Sequence, residues 1–104
     1  MRKYHNIKQH GFDSRKEERR FQELLILQRA GKITGLKRQI PYLLIPAQYI
    51  DGKCVERSVS YRADFVYHQD GELVVEDVKG VRTPEYRIKR KLMLQLYNIK
   101  IKET

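Results

Sequence analysis

One cysteine, Cys54, and no tryptophan occur in this chain of 104 residues. A single thiol excludes an internal disulfide and suits a reducing compartment. No apolar stretch reaches the ~20 residues needed to cross a bilayer. The basic opening MRKYHNIKQH lacks the apolar segment of a signal peptide. Cytoplasmic residence, with no membrane partner, is therefore the expectation. His5, His10 and His68 show no metal-ligand spacing and, with the lone cysteine, argue against a zinc centre. No Ser-His-Asp or Cys-His arrangement suggests nucleophilic catalysis, and no glycine loop is set to cradle a phosphate. Internal repeats and low-complexity tracts are absent as well.

Acid is the scarcer sign of charge: 13 Asp and Glu stand against 22 Lys and Arg, for a net charge of +9. That excess favours a polyanionic partner such as nucleic acid or an acidic surface. The length fits one domain, residues 1–104, with residues 1 to 12 as a basic N-terminal arm. Tyr outnumbers Phe seven to three, so much of the aromatic surface carries a polar tip.

Ser14 and Glu17 have the spacing of a capping box and open a helix that runs through FQELLILQRA to Gly31, a natural left-handed C-cap. LKRQIPYLLIP reads as a strand in which Pro41 implies an edge or a bulge. AQYIDGKCVERS folds back at Asp51-Gly52 as a hairpin excursion. SVSYRADFVYH and ELVVEDVK are strands joined by the two-residue turn Asp70-Gly71. Thr83-Pro84 starts a second helix that ends near Tyr97 and Asn98, with IKIK as a short last strand. Its core face is read as Ile88, Leu92 and Leu96. The order is helix, three strands, helix, strand: an α/β arrangement.

The Asp70-Gly71 turn sets a register. Gln69 faces Glu72, so Val66 faces Val75, Asp64 faces Asp77 and Arg62 comes opposite Lys79. The Asp64 and Asp77 Cβ atoms then lie roughly 5 Å apart on one face. Opposed carboxylates repel, and a partly buried face raises the cost of unpaired charge. A divalent cation with a preference for oxygen, Mg²⁺ or Mn²⁺, would resolve both problems. Pairing with neighbouring Arg or Lys would also do so, and spacing alone leaves the two alternatives open. Lys79 shares the face of Asp77 and suits either a salt bridge or charge stabilisation beside a metal. Glu76 points to the other face, opposite Phe65, as a surface or second-layer residue. Glu17 is a helix cap by its spacing, yet it also heads the stripe Phe21, Leu24, Leu25, Gln28 that faces the sheet. Arg82, Arg87, Lys89, Arg90 and Lys91 crowd the second helix and its approach with few acids to balance them. They form a candidate phosphate-contacting surface or else a solvated face.

These pieces resemble the PD-(D/E)xK nuclease superfamily. SRKE at Ser14–Glu17, YRADF around Asp64 and EDVKG at Glu76–Gly80 give Glu … Asp … Asp-x-Lys on helix, strand and strand. The run from YHN through FDSRKEERRF, ADFVY and VEDVKG to the final helix is also similar to a family of small phage-encoded proteins of uncharacterised-domain type. The resemblance implies a restriction-endonuclease-like core with a four-stranded mixed sheet flanked by helices. It implies that Asp64 and Asp77 hold Mg²⁺, with Mn²⁺ as a substitute, helped by the Val78 carbonyl. Lys79 would then handle the attacking water, and Glu17 would complete the metal site. Gln39 resembles a glutamine near the site in some relatives, whereas Ala63 stands where the motif's name places proline. The implied activity is endonucleolytic hydrolysis of DNA by a metal-activated water, in line with the leaving 3′ oxygen. Branched, flapped or Holliday-junction DNA would be the substrate, cut by a homodimer of a phage protein in the bacterial cytoplasm. Two further readings stand beside it: a non-catalytic nucleic-acid-binding module and a phage structural or regulatory adaptor. Neither accounts for opposed carboxylates within a basic surface.

Overall fold

The computed structural model describes residues 14–104, so the expected basic arm, residues 1 to 12, lies outside the described residues. Local chemistry fixes both helices. In α1 (Arg15–Arg29) the Ser14 hydroxyl accepts the Glu17 N–H at 3.1 Å, and Glu17 and Glu18 place acid in the first turn. Both features satisfy the positive end of the helix. The turn out of α1 passes through Gly31 at φ +79°. In α2 (Pro84–Tyr97) the Thr83 hydroxyl accepts the Tyr86 N–H and Pro84 opens the helix, which Asn98 ends in the left-handed conformation.

The sheet contains β1 (Thr34–Ile45), β4 (Val59–Gln69), β5 (Glu72–Asp77) and β6 (Lys102–Glu103), in the order β1-β4-β5-β6. β1, β4 and β5 are antiparallel and β6 runs parallel to β5, which makes the sheet mixed. Pro41 lies in the edge strand β1, as its missing N–H requires. The excursion is a separate two-stranded hairpin, β2 (Gln48–Ile50) and β3 (Lys53–Glu56), exposed throughout. Asp51 and Gly52, like Asp70 and Gly71, all have positive φ, as a tight primed turn demands.

The β4–β5 register is the one the turn dictates, from Gln69↔Glu72 through Val66↔Val75 to Phe65↔Glu76. The ladder ends there. Neither of the next expected pairs, Asp64–Asp77 and Arg62–Lys79, belongs to the ladder; Arg62 pairs with Pro41 of β1 on its other edge. On the β4 side the Val78 N–H goes to the Asp64 side chain, while on the opposite edge of β5 Thr104 donates its N–H to the Asp77 carbonyl and accepts the Lys79 N–H, each at 3.0 Å. Beyond Glu76 the chain leaves β4 and bonds to the last residues.

Two apolar clusters cover the two faces. Val66 and Val75 pack with Tyr86 and Met93 of α2, together with Leu44, Tyr61, Ala63 and Ile101. Phe65, Tyr67 and Val74 pack with Phe21, Leu24 and Leu27 of α1, together with Ile33. Val74 and Val75 are neighbours on one strand, so the helices lie on opposite faces. Strict alternation would keep Ala63 with Phe65, yet they belong to different clusters. The change falls between the pairs Ile40↔Ala63 and Arg38↔Phe65, where Gln39 of β1 takes φ +54°. The inward face of α2 also differs from expectation. Tyr86 and Met93 are buried and Leu92 only partly so, whereas Ile88 and Leu96 are about half exposed or more. Thr83-Pro84 sets the helix start, and with it the rotation that turns Tyr86 rather than Ile88 toward the sheet.

Candidate active site

Glu17, Asp64, Asp77 and Lys79 line a single cleft of about 540 Å³, together with Val78, Tyr61, Tyr86 and Lys89. Each reaches it by a different route. Asp64 comes from the middle of β4 and Asp77 from the last position of β5; they lie just past the last hairpin pair, Phe65↔Glu76, close enough for their carboxylates to interact. Lys79 follows after β5 has ended, and Glu17 is delivered by the first turn of α1.

Asp77 is almost fully buried and both of its oxygens are engaged: Oδ2 accepts the Tyr61 hydroxyl at 2.6 Å, and Oδ1 lies 3.3 Å from Lys79 Nζ. Asp64 Oδ2 accepts the Val78 N–H at 2.8 Å. Burial pushes the Asp64 carboxyl up to about 7; the Val78 N–H opposes the shift, and the charges of Asp77 and Glu17 add to it. Glu17 is buried, with its Oε2 accepting the Gln39 amide at 2.9 Å. Its main-chain N–H serves the Ser14 cap while its side chain lines the cleft, so the two readings of this residue are compatible.

Lys79 sits in a second arrangement that its spacing did not reveal. Its ammonium lies 3.7 Å from the centroid of the Tyr86 ring, a cation–π contact beside the Asp77 ion pair. Its backbone is fixed by the Thr104 carbonyl on one side and by Lys16 Nζ, which donates to the Lys79 carbonyl at 2.8 Å. The cation is thus aimed into the cleft by packing.

The donor set suits a metal by its chemistry. It is all oxygen, and two acids stand side by side where burial, with the charges of Asp77 and Glu17, penalises the charge of Asp64. That is the environment of a hard divalent cation. Among the described residues no group of three or more His, Cys, Asp and Glu side chains forms a ligand cluster. Mg²⁺ needs no such cluster, because it is commonly held by one or two carboxylates and completes its shell with water and substrate phosphate. The residues fit it.

The basic residues of α2 do not form one surface. Lys89 pairs with Glu85 at 3.1 Å and lines the cleft. Arg82 and Arg90 both bind Glu103, at 2.8 and 2.9 Å, and with Lys91 they line a separate hollow. Arg87 is exposed.

Glu76 is the largest departure from the sequence reading. It faces away from Asp77 as alternation requires, yet it is fully buried. Its carboxylate accepts from the Arg20 guanidinium, the Tyr67 hydroxyl at 2.6 Å and the Thr104 hydroxyl at 3.0 Å. The Arg20 guanidinium, the Tyr67 hydroxyl and then Thr104 together hold its pKa below the usual value, against the effect of burial. Tyr61, Tyr86, Arg20 and Glu103 were likewise not singled out by sequence. Arg20 at one helical turn from Glu17 was the available signal.

No helix among the described residues is long and apolar enough to cross a membrane. No curated protein matches the chain. A family model, described as a protein of unknown function (DUF1064), matches residues 1–103. The chain belongs to the DUF1064 family.

Proposed function

We propose that this protein is a metal-dependent DNA endonuclease built on a restriction-endonuclease-like core. The observation that carries the reading is the convergence of Asp64, Asp77, Lys79 and Glu17 in one cleft, from α1, β4, β5 and the segment just after β5. A cleft in which two carboxylates are buried against each other is costly to fold unless a cation offsets it. A binding module has no use for such a pair.

In this reading Asp64 and Asp77 hold Mg²⁺, or Mn²⁺ in its place, with the Val78 carbonyl and Glu17 completing the site. The bound metal would polarise the phosphate and lower the pKa of a water. Lys79, held by Asp77 and the Tyr86 ring, stabilises negative charge that grows on the phosphate oxygens. Tyr61 donates to Asp77 and keeps that carboxylate oriented. Glu17, braced by Gln39, adds a further oxygen at the edge of the cleft. Water attacks phosphorus and the P–O3′ bond breaks, leaving a 5′-phosphate and a 3′-hydroxyl. Lys89 supplies positive charge in the lining of the cleft, where a DNA strand would pass.

Branched or flapped DNA is the substrate class in this reading, and a homodimer would place two such clefts on two strands. Incubation with branched, flapped and linear DNA under Mg²⁺, Mn²⁺ or EDTA, beside Asp77→Ala and Lys79→Ala, tests the activity. Metal-dependent cleavage lost in both variants supports it. Cleavage that survives both substitutions, or binding by wild type with no cleavage under any metal, sinks it. Sedimentation of the protein with and without DNA tests the dimer.

A further inference from the structure

A second hollow, of about 450 Å³, lies between α2 and β6. Arg82, Arg90, Lys91, Lys100 and Lys102 line it with one acid, Glu103. It has no lining residue in common with the catalytic cleft. The two abut through Tyr86, whose ring lines the cleft under Lys79 and whose hydroxyl donates to Glu103 at 2.6 Å. Thr83 and Lys89 face the cleft, while their sequence neighbours Arg82 and Arg90 face the hollow.

Glu103 is fully used as an acceptor. Oε1 takes Arg82 Nε and Nη2, at 2.9 and 2.8 Å, and Oε2 takes Arg90 Nη1 and the Tyr86 hydroxyl. These bonds, led by the Tyr86 hydroxyl and the Arg82 guanidinium, hold its pKa down at about 2, so it stays ionised. The carboxylate thus acts as a post that holds two guanidiniums at fixed positions while their outer N–H groups remain for another acceptor. It neutralises one of five cations. Lys91, Lys100 and Lys102 are exposed and form no ion pair with any acid among the described residues.

We infer that this groove is a second phosphate site, which grips the backbone of the nucleic acid away from the phosphodiester being cut. The inference rests on the nuclease reading for the identity of the polyanion. Its geometry is independent of that reading: two pre-oriented arginines suit the paired oxygens of a phosphodiester, and three exposed lysines supply charge around them. The Tyr86–Glu103 bond places the groove beside the cleft, so one strand can engage both. Lys100 and Lys102 enter the functional surface from the end of the chain, a place the charge pattern of α2 gave no reason to inspect.

Binding of labelled branched and linear DNA, measured in EDTA across a salt series, tests the groove. Wild type is compared with the triple variant Lys91→Gln, Lys100→Gln, Lys102→Gln and with Lys32→Gln, at the far end of α1, as a control. All four side chains are exposed, so melting temperatures should agree. The expected result is an affinity lower on the order of tenfold or more for the triple variant, with a salt dependence shallower by roughly 0.9 in slope for each phosphate that is no longer neutralised. Lys32→Gln should bind as wild type does. Equal affinity and slope in the triple variant would overturn the inference, as would failure of wild type to bind DNA. Displacement of the DNA by millimolar inorganic phosphate would overturn the backbone assignment in favour of a pocket for single phosphates. Cleavage is read separately in Mg²⁺: a wild type that binds through the groove but never cuts would remove the nuclease reading and leave the groove in place.

Discussion

The Gln39 side-chain amide donates to the Glu17 carboxylate across 2.9 Å, joining the first turn of α1 to the middle of β1. Gln39 makes this bond from a left-handed backbone, at φ +54°, which costs a non-glycine residue on the order of 1 kcal/mol. Gln39→Gly relieves that strain and removes the bond. It should therefore leave the melting temperature within a few degrees of wild type while lowering cleavage by about tenfold, the usual effect of losing a group that orients a ligand. Gly that cleaves as well as Gln would show the bond to be idle.

Tyr61 donates a short hydrogen bond to Asp77, 2.6 Å in a buried setting. Tyr61→Phe keeps the ring in the α2-side core and leaves Asp77 Oδ2 without its donor. The expected cost is about 1–2 kcal/mol of stability in chemical denaturation. Weaker Mn²⁺ binding should accompany it, read by calorimetry with no DNA present. A fully stable variant with unchanged metal affinity would contradict the orienting role.

Asp64 makes the folded state sensitive to pH. Its folded pKa of about 7 lies above the ordinary 3.8. Between those values the folded chain holds a proton that the unfolded chain has released, so stability falls as pH rises from about 4 to about 7. Asp64→Asn keeps a carbonyl oxygen for the Val78 N–H and removes the charge. It should stabilise the metal-free protein at pH 8 by roughly 0.5–2 kcal/mol and flatten this slope. Mg²⁺ should raise the melting temperature of wild type at pH 8 and leave the variant nearly unmoved. A destabilised Asn variant would show that the carboxylate repulsion is not felt.

Glu76→Ala should be the most damaging of these changes to folding. It strands the Arg20 guanidinium, the Tyr67 hydroxyl and the Thr104 hydroxyl around an emptied position. Loss of one partner of a buried pair costs about 3–5 kcal/mol, and the partly exposed Arg20 places this case near the lower figure. Urea unfolding measures it. A destabilisation under about 1 kcal/mol would mean that water replaces the partners.

The readable parts of the fold were those set by neighbours in sequence. Asp51-Gly52 and Asp70-Gly71 demanded tight turns, and the second carried a register that holds as far as Phe65↔Glu76, one step short of Asp64 and Asp77. Ser14, Thr83-Pro84 and Asn98 marked helix ends because their side chains or backbone satisfy groups one turn away. Alternation then told which face Glu76 takes.

Alternation could not tell what lies over that face. Glu76 is buried because Arg20 of α1 and Thr104 after β6 close on it, from 56 and 28 residues away in the chain. Thr104 likewise anchors Asp77 and Lys79 from the edge of β5 away from β4. Tyr86 rather than Ile88 entered the core, and with it came the ring under Lys79 and the link to Glu103. The local sequence determined the turns, the caps and the hairpin register up to the two aspartates, since each rests on geometry within one hairpin or one helical turn. Only the tertiary structure decided the burial of Glu76, the setting of Lys79 and the division of the basic residues between two hollows. Those depend on which distant segments pack together, and no local period encodes that.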